Sequence, residues 1–341
     1  MPTPVNERDW TLLIPPDVPS TAQPTPGREI AHKGEVFGTT WSVRLVRKAS
    51  TDPANDHAYC AQLVKAFEQA LELIDAQMSL WRSGSVISRY NRLSHGDQLA
   101  LPEPMAGLVQ SAFDLCADTE GAFDPGLYDA VEHWGFGARF VADPVASGLA
   151  YAERVSSPRG ALPTWDGQRL EKRDGFALDL NGIAKGYAVD LLCDIARAHP
   201  DTASCLIEIG GELKGFGTRA DAMPYWTDLA PDGEAHHAVM RAALYGWACA
   251  TSGEAERCHR VDEASYSHIL DPRTQASARS DLIGVSVFDK SCARADALAT
   301  ALMVMGHERA LAFADARSLP CALAPRGDGA ITLSAALKGW A

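Results

Sequence analysis

Apolar residues return at three- and four-residue steps along much of this chain. Over Ala58–Met78 they are Leu63, Phe67, Leu71, Ile74 and Met78, which predicts a helix with one buried stripe. Pro104–Thr119 turns Leu108, Val109, Ala112 and Leu115 inward, and Gly121 ends it. Further helices are predicted over Ala184–Ala198, Ser291–Met305 and Glu308–Ala316. In Ser291–Met305, Ala293, Ala297, Ala301 and Met305 share a face, and Gly306 lies just past the end.

A period of two marks the strands. In Glu35–Arg47, Trp41, Val43 and Leu45 alternate with Thr40, Ser42 and Arg44. Cys205–Ile209, Val239–Leu244, Trp247–Thr251 and Leu282–Phe288 read as strands, and Cys321–Ala324 with Ile331–Leu333 as a hairpin-like pair. Residues 138–175 read as an irregular connection with a short strand near Leu170, and the Pro-rich residues 1–33 as a disordered or loosely packed arm. Strands and helices mix without regular βαβ alternation, so the expected class is α+β.

Composition narrows the function. The 341 residues are 46% hydrophobic and 22% charged, an ordinary globular balance. Net charge is −13, from 44 acidic and 31 basic residues. No Lys/Arg block offsets it, which argues against nucleic-acid binding. An anionic ligand would need local neutralisation by a metal, a lysine or a helix terminus. The eight cysteines form no C-x-x-C pair and sit among apolar neighbours, as in a reduced protein. No stretch has the ~18 apolar residues of a membrane span, and the first thirty residues hold no signal-peptide core. The expected location is therefore cytoplasmic, or periplasmic if a leader has been removed.

The most informative segment is Phe176–Asp190. A short apolar strand runs into a glycine turn, and the turn opens a helix with Lys185 in its first turn. Backbone N–H groups and the positive end of the helix dipole favour phosphate oxygens there. The glycines, Gly182 and Gly186, match neither G-x-G-x-x-G nor the P-loop, and they would serve equally well for tight packing.

Asp296 and Thr300 lie four apart on one helix face, with Cβ atoms roughly 5–6 Å apart. A carboxylate and a hydroxyl there could share a hard cation such as Mg²⁺, or be a solvated Asp and a threonine bonded to the previous turn. His268, in Ser265–Thr274, could take a proton from a hydroxyl or be a core histidine bonded to Asp271. Ala250–Glu254 could line the same pocket or merely form a loop. In Gly121–Pro125 and Trp134–Gly137, aromatic rings beside tight turns could stack on a planar ring, and Asp124 could bond a ring or ribose group. Trp81 could stack or pack, and Ser85 or Ser88 could cap a short helix.

Taken in order, these segments resemble the FAD:protein FMN transferase (ApbE) family. The resemblance is carried by Gly38–Ser42, Met78–Asn91, Gly121–Pro125 with Trp134–Gly137, Leu178–Asp190, Glu208–Gly211, Thr251–Gly253, Ser267–Thr274 and Ala295–Thr300. It implies an α+β fold of two intertwined lobes over 34–341, with mixed or antiparallel sheets, packed helices and FAD between the lobes. It also implies FAD contacts at Phe37, Trp81, Ala122, Phe123, Asp124, Asp179, Lys185 and Ile269. Phe37 stands where the family usually has Met, and Asn181 replaces a common glycine. Asp296, Thr300 and the backbone at Gly182 would hold Mg²⁺, or Mn²⁺ in its place, with His268 as the base. The implied reaction moves FMN from FAD to a threonine or serine of an acceptor protein, a respiratory redox subunit or a reductase, and releases AMP. The alternatives are an FAD pyrophosphatase giving FMN and AMP, and a non-catalytic flavin-binding protein.

Overall fold

A computed structural model describes residues 11–18, 27–48, 53–155, 162–229, 240–254, 257–327 and 329–341. In chain order it begins with strands β1 (Thr11–Leu13), β2 (Glu29–Val36) and β3 (Thr39–Arg47). Helices α1 (Pro53–Met78) and α2 (Val86–Asn91), strand β4 (Gln98–Ala100) and helices α3 (Met105–Asp118), α4 (Tyr128–His133) and α5 (Pro144–Arg154) follow. The middle of the chain holds β5 (Arg169–Glu171), α6 (Asn181–Ala198), β6 (Thr202–Ile209), β7 (Glu212–Phe216), β8 (Tyr225–Leu229), β9 (Met240–Leu244) and β10 (Trp247–Gly253). Then come the short pairs β11 (Cys258–Val261) with β12 (Ala264–Ser267) and β13 (Leu270–Asp271) with β14 (Ala276–Ser277). The chain closes with β15 (Leu282–Asp289), α7 (Cys292–Met305), α8 (His307–Ala316), β16 (Cys321–Pro325), β17 (Thr332–Leu333) and α9 (Ala335–Lys338).

The frame is an eight-stranded sheet in the order β17-β16-β15-β10-β7-β6-β3-β2, antiparallel at every pairing. Helices α1, α6 and α7 pack on it, and the main core lies between them, around Phe67, Ile183, Leu192, Ile207, Val285 and Leu302. A second apolar cluster forms around Leu13, Tyr225, Leu244, Phe288 and Trp340. It involves the small sheet β1-β9-β8, in which β1 runs parallel to β9. A third gathers Ala130, Trp134, Phe136 and Leu270. The α+β class follows from this mixture. No helix among the described residues is long and apolar enough to cross a membrane.

Most predicted elements occur close to their expected limits, and the departures have local causes. Residues 144–154, expected to be irregular, form α5. Asp143 caps it by accepting from the Ala146 N–H at 3.0 Å, and Pro144 fits its first turn. Within the expected arm, Leu13 is fully buried beside β9 in the same sheet, and Glu29–Val36 is a sheet strand; residues 1–10 and 19–26 lie outside the described residues. Val239, the expected first residue of one strand, also lies outside them.

The segment before α6 is not a ladder strand. Asn91 clamps it, donating to the Leu178 carbonyl at 2.9 Å and accepting from the Leu178 N–H at 2.7 Å. The Asp179 N–H donates to the Pro125 carbonyl at 2.7 Å, and Leu127 bridges Ala177. The helix begins earlier than expected, at Asn181, so Gly182 belongs to its first turn rather than to a turn before it.

Hydrogen bonds to Asp190 and close packing at Gly186 hold α7 against α6. Asp190 accepts from the Ser291 hydroxyl at 2.8 Å and from the Cys292 and Ala293 N–H groups at 2.9 and 3.1 Å, and pairs with Lys214 at 2.6 Å. At Gly186 the helices nearly touch: a β-carbon there would lie 2.4 Å from the Cys292 carbonyl oxygen. Gly186→Ala is therefore expected to destabilise the fold by about 1–3 kcal/mol or more, as backbone overpacking does. Denaturant melts of the two proteins check this, and an unchanged midpoint would contradict it.

Candidate active site

One crevice collects residues from many parts of the chain, among them Val131 of α4, Phe136 and the 268–270 segment. Its other walls come from the 122–127 loop, the first turns of α6, the start of β7, β10, Arg257 and α7. The cavity is about 210 Å³. Ligand pockets usually run to ~300–1,000 Å³, so this one would enclose only part of a dinucleotide.

The crevice brings together His268, Ala122, Phe123, Asp124, Asp179, Lys185, Ile269, Gly182, Asp296 and Thr300. Two expected residues do not line it. Phe37 occupies the β2–β3 turn with φ of 51° and packs on the main core. Trp81 follows α1 and is 54% exposed. Ser85 does cap α2, accepting from the Ser88 N–H at 3.1 Å.

Phe123 is buried, and a β-carbon at Gly182 would lie 3.4 Å from its ring. Asp124 folds its own loop by accepting from the Gly126 N–H at 2.7 Å. Asp179 accepts from the Asn181 N–H at 2.8 Å, and burial pushes its carboxyl up to about 6. Lys185 donates to Glu212 at 2.6 Å.

Asp296 is not solvated. It is buried and accepts from the Gly186 N–H at 3.0 Å. Burial raises its pKa, opposed by Lys185 and by that hydrogen bond. The Thr300 hydroxyl lies 3.3 Å from the Ser252 hydroxyl and close to Gly182, where a β-carbon would sit 3.6 Å from Thr300 Oγ1. Among the described residues no three His, Cys, Asp or Glu side chains group as a metal cluster. A cation here would have one carboxylate, one hydroxyl and backbone oxygen from the protein. That hard, incomplete donor set suits Mg²⁺, which keeps waters and takes further oxygens from a phosphate.

His268 does not bond Asp271, whose carboxylate is taken up by Arg273 at 2.7 and 2.9 Å. Its Nδ1 instead lies 3.0 Å from the Arg257 carbonyl oxygen, and its own N–H donates to that same oxygen at 3.0 Å. A carbonyl only accepts, so Nδ1 carries the proton and Nε2 is the basic nitrogen. Burial, with help from the Arg257 and Lys185 charges, pushes this histidine down to about 4. At neutral pH the ring is uncharged and able to accept a proton.

Sequence reading missed Glu212 and Arg257. Glu212 directly follows the Glu208–Gly211 segment, and the two-glycine turn there (φ of 58° and 104°) returns the chain so that Glu212 pairs with Ile209 across the hairpin. An acid directly after a tight glycine turn was the available signal. Arg257 carried none, because it is brought to the crevice by the β11–β12 hairpin.

A crevice of this kind fits a protein that takes up a phosphate-bearing ligand beside a divalent cation and removes a proton there. The ApbE family model matches residues 37–323, and this chain belongs to the ApbE family. It is 29% identical over 323 residues to the FAD:protein FMN transferase of Vibrio cholerae serotype O1, covering 94% of this chain and 95% of that protein. The apo crystal structure of the Pseudomonas stutzeri flavinyl transferase ApbE superposes with a TM-score of 0.79 at 33% identity, over 92% of this chain and 97% of that one. The flavin transferase ApbE from Vibrio cholerae gives 0.77 at 28% identity, over 92% and 99%.

Proposed function

We propose the following chemistry for this ApbE family member. The protein transfers FMN from FAD to an acceptor protein. The receiving group is a threonine or serine hydroxyl. Its oxygen bonds to the phosphorus of the FMN half, the bond from that phosphorus to the bridging oxygen breaks, and AMP departs with the bridging oxygen. The product is a phosphoester, and the hydroxyl proton passes to His268 Nε2.

The observation that carries this reading is the convergence on one crevice of the α6 N-terminus, Lys185, the Asp296–Thr300 pair and a neutral histidine. Lys185 and the first-turn amides of α6 supply positive charge toward the diphosphate. Ala122, Phe123, Asp124, Asp179 and Ile269 form the wall that would receive the flavin nucleotide. Asp179, with its raised pKa, can present a hydrogen-bond donor in mildly acidic solution and an acceptor above it. Asp296, Thr300 and the carbonyl at Gly182 would hold Mg²⁺, with Mn²⁺ as the close substitute. A cation held by these residues would supply positive charge to offset that on the diphosphate. Phe37 and Trp81 lie outside the crevice wall; a flavin reaching past the crevice mouth would be needed to touch them. The acceptor is a flavin-bearing redox subunit or reductase offering its hydroxyl on an accessible segment. The transferase unit reaches back beyond the expected 34–341 to take in the whole of β2 and the β1 strand beside β9.

The test is mass spectrometry of an acceptor domain incubated with the protein, FAD and Mg²⁺. The expected result is an acceptor heavier by one FMN, with one AMP released per modification. Free FMN and AMP beside an unmodified acceptor would mean that water is the attacking group. FAD retained intact would mean a flavin-binding protein without turnover.

A further inference from the structure

Arg257 lines the crevice, yet its contacts face the protein. Its guanidinium donates to the Phe136 carbonyl at 2.8 Å and sits 6.0 Å from the centre of the Phe136 ring. Its own carbonyl accepts both hydrogen bonds from His268. The residue thus joins the 134–137 loop on one side to the imidazole on the other. The loop is itself anchored. The Trp134 indole donates to the Gln275 carbonyl at 3.0 Å, and His259 stacks on Phe136 at 4.5 Å with its Nε2 3.0 Å from the Trp134 carbonyl. The edge of Phe136 also meets His268, with ring centres 6.1 Å apart.

We infer that Arg257 is a positioning residue for the transfer reaction, holding through its guanidinium–Phe136 bond the carbonyl that sets the tautomer and aim of His268. This rests on the reading of His268 as the base. The hairpin ladder holds this carbonyl on one side through the His268 backbone N–H, and the Arg257 side chain ties the same residue to the 134–137 loop on the other. An imidazole turned or in the other tautomer would present N–H where a lone pair is needed. The charged groups lining the crevice with His268 are Asp124, Asp179, Lys185, Glu212, Asp296 and Arg257 itself. The two cations oppose protonation of the ring, so losing Arg257 also makes His268 easier to protonate.

The experiment compares wild type, Arg257→Ala, Arg257→Lys, His268→Ala and the Arg257→Ala/His268→Ala double variant in FMN transfer to an acceptor domain. Arg257→Ala is expected to lower kcat roughly 10- to 100-fold, the scale of a small misalignment of a reacting group, with KM for FAD within about threefold of wild type. The acid limb of its rate profile should move to higher pH. Arg257→Lys, which keeps the charge and one donor, should recover part of both changes. In the His268→Ala background, loss of Arg257 should have no further effect on kcat. A raised KM with unchanged kcat, an unmoved acid limb, or an equal loss in both backgrounds would overturn the proposal. Full activity of His268→Ala would instead overturn the base assignment on which it rests. Circular dichroism of each variant separates misfolding from misalignment.

Discussion

Asp296→Ala is expected to reduce FMN transfer by roughly 10³-fold, the several kcal/mol of charge stabilisation that a bound divalent cation contributes. Asp296 is the one carboxylate in the proposed donor set. Its neighbour Thr300 contributes only a neutral hydroxyl, already shared with Ser252. The fold should survive the change. Alanine is a strong helix former, α7 keeps its Asp190 and Ser291 anchors, and a buried charge is removed. A thermal-shift assay separates the roles. Mg²⁺ without flavin should raise the melting temperature of the wild type, since it binds only the folded chain, and should not raise that of Asp296→Ala. The Asp296 pKa is raised, so protons compete with the cation as pH falls, and the wild-type shift should shrink in acid. A variant that kept the Mg²⁺ shift and the rate would remove Asp296 from the site.

His268→Ala should lower the transfer rate by about 10²–10⁴-fold, the usual contribution of a positioned general base. The wild-type kcat/KM should hold at neutral pH and fall only in acid, because the folded ring titrates near 4. The same shift enters stability. The unfolded histidine binds its proton at the ordinary value of about 6.5 and the folded one only near 4. This group therefore costs no stability above the unfolded value, and destabilises the fold as pH drops from there toward 4. His268→Ala should flatten that part of the stability profile. Full transfer by His268→Ala at saturating Mg²⁺ would exclude the histidine as the base.

Much of the crevice was legible beforehand because its parts occupy short, locally defined segments. Asp296 and Thr300 share a helix face by spacing alone. Lys185 follows from the helix start. His268, Gly182 and the Gly121–Pro125 loop each belong to a segment of the family pattern. What escaped was pairing across distance. The acid that meets Lys185 comes from β7, and the carbonyl that orients His268 comes from the far side of a hairpin. Nothing near His268 in sequence distinguished that carbonyl from Asp271, which pairs with Arg273 instead. Trp81 and Phe37 show the converse. Trp81 lies in a segment of the family pattern and Phe37 next to one, yet one side chain is exposed at the end of α1 and the other lies against the core.

The sequence by itself determined the elements, since periods of two and of three to four report which side of a backbone must leave water. It also determined the family, through eight ordered segments, and the kinds of chemical group available. Only the tertiary structure decided which groups meet. Gly186 lets two helices approach closely enough for its N–H to reach Asp296, and Asp190 fixes the register of that approach. Burial then sets the protonation of Asp179, Asp296 and His268. Water exclusion and charge proximity belong to the packed molecule, where residues more than a hundred positions apart in the chain share one wall.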